Sequence, residues 1–315
     1  MIVKKIFPKS RKGQLFTIMA ILLIVLMFVS FEVFSVIHER QAIKKRVATM
    51  NSFLNSIEKN LERQLYISGF RIIFLAEAEI TSTGSYITNL DSFFEEGFYN
   101  GTVNGINKSI MSGATYNDML LSLNDKGERI NVDISMNNTI INVSQDNPWN
   151  VKITMVSNFS MVDKGGLVRW DKQQHISTLI PVEGFEDPFF TIGSGGRYSR
   201  KINRTIYDGY YVDCGSPPSP PCNFANLSEH VEAGYYTNNT DAPSFLNRLT
   251  GNFSADVNGI ESFVRPSDVG EFNIYKTCID HLYFSTDTSG DQVSPSMPSW
   301  FKIDDGHRAR YGVIF

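Results

Sequence analysis

The sequence predicts an α+β fold in which a long N-terminal helix packs against an antiparallel, β-rich globular domain. Neither Pro nor Gly occurs between Gln14 and Ser68, so a helix can run there unbroken for about 55 residues, or roughly 80 Å. From Ile130 the apolar residues recur at every second position, which is typical of strands with one buried face. The abundance of Gly, Tyr, Phe, Ser, Thr and Asn favours short strands joined by turns.

Length and composition narrow the class of protein. A chain of 315 residues with 42% hydrophobic content can bury one or two cores, which argues against disorder throughout. The net charge is −4 and the isoelectric point is near 5.8. Binding of nucleic acid would call for a basic surface, so nucleic acid is not an expected partner.

Residues 14–37 are predicted to form a transmembrane helix. The 18 positions from Gln14 to Phe31 carry no charge, and in a helix they cover roughly 27 Å. Glu32 follows, and apolar residues then resume as far as Ile37. We expect Glu32 to lie near a membrane interface or to face a partner helix, where it would act in assembly. Residues 1–13 form a basic leader, expected on the cytoplasmic side.

Residues 38–80 are predicted to continue the helix as an amphipathic stalk. Its apolar residues alternate between spacings of four and three positions, and polar or charged residues lie between them: Ile43, Val47, Met50, Leu54, Ile57 and Leu61. This stripe packs either against the chain's own globular domain or against a helix of another subunit. Gly69 is expected to interrupt the helix, and the dense apolar run 70–78 is expected to be buried on all sides.

The remaining chain divides into two regions. Residues 81–183 are predicted to form an α+β domain, with two short helices around 90–94 and 119–123 and then an antiparallel meander of three or four strands. The turns of this meander are expected at 146–148 and 163–166. Residues 184–315 are predicted to be an irregular, β-rich C-terminal region.

Two features favour an extracytoplasmic location for the bulk of the chain. Nine Asn-X-Ser/Thr sequons occur, whereas about four are expected by chance, and every one of them lies beyond residue 99. Cys214 and Cys222 flank a Gly/Pro/Ser loop and are predicted to form a small disulfide of an oxidising compartment. Cys278 is then a buried thiol, an alternative partner of Cys222 or an intermolecular link. The candidate glycosylation sites are Asn100, Asn107, Asn137, Asn142, Asn158, Asn203, Asn226, Asn238 and Asn252.

The residues before the apolar span indicate how the N-terminus is processed. The span is longer than the core of an ordinary secretory signal, and no Ala-X-Ala-like site follows it. Instead, Arg11, Lys12, Gly13 and Gln14 directly precede it. This arrangement resembles the class III signal peptide of archaeal type IV pilin-like proteins. The resemblance implies cleavage between Gly13 and Gln14 by a prepilin peptidase, which leaves the apolar helix on the mature protein.

The resemblance to type IV pilin-like proteins extends in part to the rest of the chain. A long helix laid against an antiparallel sheet is the pilin architecture. Three C-terminal segments, 183–188, 243–249 and 300–304, look similar to stretches of uncharacterised archaeal pilin-like surface proteins. One position departs from the pattern, because Ile18 stands at the fifth mature position where such pilins usually carry glutamate.

No motif for catalysis or cofactor binding is present, so neither an enzyme nor a cofactor is predicted. The five histidines show no HExxH motif and no paired metal spacing, so no metal site is predicted either. Asp280-His281 and Asp304-Asp305-Gly306-His307 could meet in space around a cation or as a base and acid pair, but the alternative of turn aspartates and surface histidines is favoured.

Taken together, these features predict a type IV pilin-like cell-surface protein, either a minor or tip filament subunit or a membrane-held relative with an adhesive or cell-contact role. Its N-terminus would be cytoplasmic and its bulk extracellular. The expected partners are the membrane, a prepilin peptidase and other pilin-like subunits or copies of itself. The alternative is a single-pass anchored, ligand-binding ectodomain that acts through partner proteins.

Overall fold

A computed structural model describes residues 11–207, 209, 211–212, 224–270, 275–286 and 288–313. The first half of the chain forms α1 (Arg11–Thr83), α2 (Leu90–Asn100), β1 (Thr102–Val103), β2 (Ile106–Asn107), α3 (Tyr116–Glu128), β3 (Val132–Asn147), β4 (Asn150–Asp163) and β5 (Arg169–Pro181). The second half forms α4 (Pro188–Gly193), β6 (Asn203–Arg204), α5 (Ala225–Ala233), β7 (Tyr235–Asn238), α6 (Phe245–Thr250), β8 (Ile260–Glu261), α7 (Pro266–Val269), α8 (Asp280–Ser285), β9 (Asp291–Gln292), β10 (Lys302–Ile303) and α9 (Asp305–Arg308).

Helix α1 packs on an antiparallel sheet, which confirms the predicted α+β fold. Strands β3, β4 and β5 lie in that order, and each pairs antiparallel with the next. Along β4 and β5 the buried residues alternate with more exposed ones, because successive side chains of a strand point to opposite faces. The buried face of this sheet and the second half of α1 belong to one hydrophobic core.

The apolar stripe of α1 packs on the chain's own domain from Met50 onward. Met50, Leu54, Ile57 and Leu61 are all at most 6% exposed. Ile43 and Val47, one to two turns earlier, are only partly covered. The prediction that the stripe packs against the chain's own domain is therefore confirmed for its C-terminal part.

The predicted interruption at Gly69 is wrong, because α1 continues through it to Thr83. A Cβ atom at Gly69 would lie 2.0 Å from Cδ1 of Ile153 and 2.7 Å from Cδ1 of Ile180. The missing side chain thus allows the helix to approach the sheet closely. The predicted burial of residues 70–78 on all sides is also wrong, since Phe70 and Phe74 are 41% and 47% exposed.

Helices α2 and α3 lie where two short helices were predicted, and both begin with a side-chain cap. The Asn89 side chain accepts a hydrogen bond from the Ser92 amide. Thr115 and Asp118 form a capping box at the start of α3, in which each side chain accepts from the other residue's backbone amide. These helices pack between α1 and β3 and help to enclose the same core.

The described part of the C-terminal region consists of six short helices and of strands two to four residues long. It thus contains more helix than the sequence patterns indicated. Strands β6, β7 and β8 form a small mixed sheet in which β6 runs parallel to β7. A second hydrophobic core gathers here around Phe263, Ile279, Phe301 and Tyr311.

Candidate functional site

The first half of α1 exposes a continuous apolar surface. From Leu15 to Ile37 its large apolar side chains are between 48% and 76% exposed. A window of this helix has a mean hydropathy of 2.7 and is not buried within the chain. The helix is therefore long and apolar enough to cross a membrane, and it is compatible with a membrane anchor.

The two residues predicted to flank the cleavage site, Gly13 and Gln14, lie in the first turn of α1, which begins at Arg11. Glu32 lies within the apolar half of the helix and is exposed. Among the described residues of the same chain, none forms an ion pair with Glu32. Arg40, Lys44 and Lys45 are exposed further along the same helix.

Arg46 marks the point at which α1 joins the globular domain. Its Nε donates to Asp163 Oδ1 at 2.8 Å, and one of its Nη atoms donates to the carbonyl of Ile130 at 2.6 Å and to that of Asn131 at 3.0 Å. Burial alone would raise the pKa of Asp163, but the hydrogen bond and the charge of Arg46 together with the backbone amides of Leu167 and Gly165 outweigh it and lower the pKa. Through these hydrogen bonds Arg46 links α1 to the end of the β3–β4 pair.

Among the nine sequon asparagines, eight are exposed and Asn226 is half-buried. Asn137, Asn142 and Asn158 lie on the outer face of the sheet, where Asn137 and Asn158 are cross-strand partners. By contrast, Asn239, which belongs to no sequon, is 3% exposed and donates to Glu261. The eight exposed sequon positions are thus accessible to a large substituent.

The predicted disulfide between Cys214 and Cys222 lies outside the described residues. Cys278 is described, and it is a buried, free thiol. Burial raises the pKa of Cys278 to about 12, so the thiol stays protonated and unreactive at neutral pH.

A groove of about 660 Å³ lies between the end of α1 and the chain that follows β5. We call it the aromatic groove; Phe70, Phe74, Phe185, Glu77 and Lys201 contribute to its walls. The rings of Phe70 and Phe185 are 5.1 Å apart. Glu77 accepts a hydrogen bond from the amide of Glu186 at 2.7 Å, and burial raises the pKa of Glu77 to about 8.

The interior of the C-terminal region holds a fully buried group of charges that the sequence did not reveal. We call Arg248, Asp187, Asp280 and Tyr236 the arginine cluster. Nη1 of Arg248 lies 2.5 Å from Asp187 Oδ2 and 3.0 Å from Asp280 Oδ2, and Tyr236 donates to Asp187 at 2.8 Å. Burial raises the pKa of Asp187. At Asp280 burial acts in the same direction, but Arg248 and His281 together outweigh it and lower the pKa.

The arginine cluster joins segments that are distant in sequence. Asp187 caps α4, Arg248 lies in α6 and Asp280 begins α8. The signal in the sequence is an arginine that stands between two apolar residues, Phe245 and Leu249. Both of these residues are fully buried in the structure, and the arginine is buried with them.

Next to the arginine cluster lies a second group, the histidine cluster, which consists of the buried residues Glu261, His281 and His307 and of the partly exposed Asp304. The rings of His281 and His307 are 5.7 Å apart, so the two histidine segments do meet in space. Nδ1 of His307 lies 2.9 and 3.0 Å from the two carboxylate oxygens of Asp304. Burial would lower the pKa of His307, but Asp304 and Glu261 outweigh it and raise the pKa to about 10.

Comparisons with family models, with curated proteins and with solved structures find no match to this chain. The proposals below therefore depend on the sequence patterns and on the geometry of the chain itself.

Proposed function

We propose that this chain is a type IV pilin-like cell-surface subunit of the archaeal kind. The observation that supports it best is the division of α1 into two halves. The first half presents an apolar surface that the described part of the chain leaves uncovered, and the second half packs on an antiparallel sheet. Such a helix can reside in a membrane and can later pack against the same segment of neighbouring subunits.

The length of the uncovered segment suits this role. Between the start of α1 and Arg46, where the globular domain begins, the helix extends for roughly 50 Å. A bilayer core takes up about 30 Å of that length. The globular domain would then stand close above the membrane on the extracytoplasmic side, with the basic leader in the cytoplasm.

The nine sequons support this orientation. Eight of the nine asparagines are exposed, which suits N-linked glycans on the cell surface. Glycans at Asn137, Asn142 and Asn158 would cover the outer face of the sheet and leave α1 for contacts with other subunits. We propose no catalytic role and no nucleic-acid partner; the proposed partners are a prepilin peptidase, the membrane and related or identical subunits.

Mass spectrometry of the mature N-terminus tests the processing step. In protein isolated from its native membrane we expect the chain to begin at Gln14, after cleavage behind Gly13. A chain that keeps Met1, or that begins beyond Ile37, would contradict membership of the pilin pathway.

Glu32→Gln tests assembly. In a filament the apolar halves of several helices pack together, and an unpaired Glu32 there would cost several kcal/mol, so it should meet a cation such as Arg40, Lys44 or Lys45 of an adjacent subunit. We expect Glu32→Gln to reduce the yield of surface filaments and to leave membrane insertion unchanged. The matched control is Glu39→Gln, a second exposed glutamate of α1 outside the apolar segment. Equal filament yields for both variants would refute the buried pair.

A second candidate function is an anchored, ligand-binding ectodomain. The aromatic groove favours it, because small molecules usually bind in concave apolar sites that carry a few polar groups. Electron microscopy of cells that carry the unaltered protein separates the two: filaments that contain this chain support the subunit, and membrane-bound protein without filaments supports the ectodomain.

A further inference from the structure

The histidine cluster brings together side chains that commonly bind metal ions. Glu261 in β8, His281 in α8 and His307 in α9 each offer one ligand atom, and these atoms lie within 4.8 Å of one another. All three side chains are buried. We propose that Glu261, His281 and His307 form a binding site for a divalent transition-metal ion, with zinc as the best-fitting ion.

Two donor atoms in the cluster lack a hydrogen-bond partner. Nδ1 of His281 and Nε2 of His307 are both buried and unpartnered. Nε2 of His307 lies 3.3 Å from Oε2 of Glu261 without hydrogen-bond geometry, and Nδ1 of His281 lies 3.4 Å from Oδ1 of Asp280, again without a hydrogen bond. Buried polar atoms without a partner are uncommon in folded proteins, so each of these two nitrogens is open to a ligand that the described residues do not supply.

The spacing suits tetrahedral zinc. Zinc lies about 2.0 to 2.2 Å from imidazole nitrogen and carboxylate oxygen, so two donors at a tetrahedral angle are roughly 3.4 Å apart. The distance of 3.3 Å between His307 Nε2 and Glu261 Oε2 agrees with that value. The ligand atom of His281 lies within 4.8 Å of both.

The surrounding residues hold the proposed ligands in place. The carboxylate of Asp304 accepts from Nδ1 of His307, which directs Nε2 of the same ring toward Glu261. Tyr311 donates to Oε1 of Glu261 at 2.8 Å, and Asn239 donates to Oε2 at 2.7 Å. A carboxylate that orients a ligand histidine through its second nitrogen is a recurrent feature of zinc sites.

The chemistry of the donors selects the kind of ion. Calcium and magnesium are bound through six or more oxygen ligands or through several waters, which this cluster does not offer. Two imidazoles and one carboxylate suit zinc and related transition metals. Nε of Arg310 lies 3.0 Å from Oε1 of Glu261, whereas Oε2 is the carboxylate oxygen that lies 3.3 Å from Nε2 of His307. A bound ion would join β8, α8 and α9, three short elements from separate parts of the C-terminal region.

The alternative is a cluster closed by a protonated His307 that bridges Asp304 and Glu261 and takes up no metal. A metal titration of the full-length protein in detergent micelles, freed of metal by a chelator, distinguishes the two. Zinc is added in competition with a chromophoric chelator, and the metal that the protein retains is measured by mass spectrometry. We expect one zinc per chain. Calcium at the same concentration should not displace it. If the unaltered protein retains no zinc in this titration, the proposal is overturned.

Variants locate the site. We expect His307→Asn and Glu261→Gln each to weaken zinc binding by at least about tenfold, and Asp304→Asn, which keeps all three ligands, to weaken it about 10- to 100-fold. The matched control is His175→Asn on the exposed face of β5, which should bind as the native protein does. A loss of zinc in the control as large as that in His307→Asn would assign the metal to the surface and overturn the site. Circular dichroism checks that each variant is folded. Where a ligand variant does not fold, the titration of the unaltered protein and the result for Asp304→Asn decide whether the site binds zinc.

Discussion

The sheet region and the C-terminal region of this protein are stabilised in different ways. In the sheet region, which consists of β3, β4, β5 and the second half of α1, Asp163 is the one ionisable side chain buried among the described residues. In the described part of the C-terminal region eight carboxylate, arginine or histidine side chains are buried: Asp187, Arg200, His230, Arg248, Glu261, Asp280, His281 and His307. Long regular elements can bury apolar faces, whereas short irregular ones depend on specific polar contacts.

The two regions also differ in the features that they carry. The sheet region carries the helix that is compatible with a membrane anchor, and its own core is apolar. The C-terminal region contains both the arginine cluster and the histidine cluster. Removing one partner of a buried ion pair strongly lowers the free energy of unfolding of the protein. The two regions should therefore respond differently to single substitutions.

The largest effect is expected from Arg248→Ala. The change leaves Asp187 and Asp280 buried beside a cavity without their cation, and it should lower the free energy of unfolding by about 3–5 kcal/mol. Urea unfolding in micelles measures it. Arg129→Ala is the control, because its ion pair with Asp125 is exposed and should contribute less than about 1 kcal/mol. Similar losses for both variants would contradict the contrast between the two regions.

Glu77 tests the junction of the two regions as a function of pH. Burial raises its pKa from 4.5 to about 8. A raised pKa means that its contribution to stability is fully present below the unfolded value and is lost as the pH rises through the folded value. From about pH 5 to about pH 9 the unaltered protein should therefore lose stability relative to Glu77→Gln, by on the order of 3 kcal/mol.

The measurement for Glu77 is the difference in unfolding free energy between the two proteins across that pH range. Glu62→Gln, at an exposed position of the same helix, serves as the control and should show no such trend relative to the unaltered protein. A constant difference between the unaltered protein and Glu77→Gln would show that Glu77 is ionised in the folded state.

Gly69→Ala tests the apolar contact between α1 and the sheet. The new methyl group would overlap Cδ1 of Ile153, and overpacking of this kind costs about 1–3 kcal/mol. Ile153→Val removes that atom, so the double variant should be more stable than the sum of the two single changes predicts. Additive losses would show that another contact limits the approach of the helix.

The smallest effect is expected from Thr115→Ala, which removes the capping box of α3. Loss of an N-cap side chain costs about 1 kcal/mol, and here it affects one local element only. Thermal unfolding should show a modest decrease in Tm, with Ser112→Ala, at an exposed position nearby, as the control. A loss as large as that of Arg248→Ala would mean that α3 holds more of the fold than its local contacts indicate.

The sequence by itself determined the parts of this protein that repeat with a regular period. The uninterrupted apolar run predicted the first half of α1, the four-three spacing predicted the buried stripe from Met50 to Leu61, and the alternation from Ile130 predicted the antiparallel meander. Such periods report directly which face of an element is buried. They do not report how closely two elements approach, and for that reason Gly69 was predicted to interrupt a helix that in fact continues.

Only the tertiary structure decided the arrangement of the C-terminal region. Arg248, Asp187 and Asp280 are separated by tens of residues, and the same is true of Glu261, His281 and His307. Their meeting depends on how short elements fold back on one another, and no local period encodes it. The histidine segments were visible in the sequence, but surface histidines were the favoured interpretation. The physical reason is that charge pairing in a protein interior is a property of three-dimensional proximity, whereas sequence patterns describe single elements.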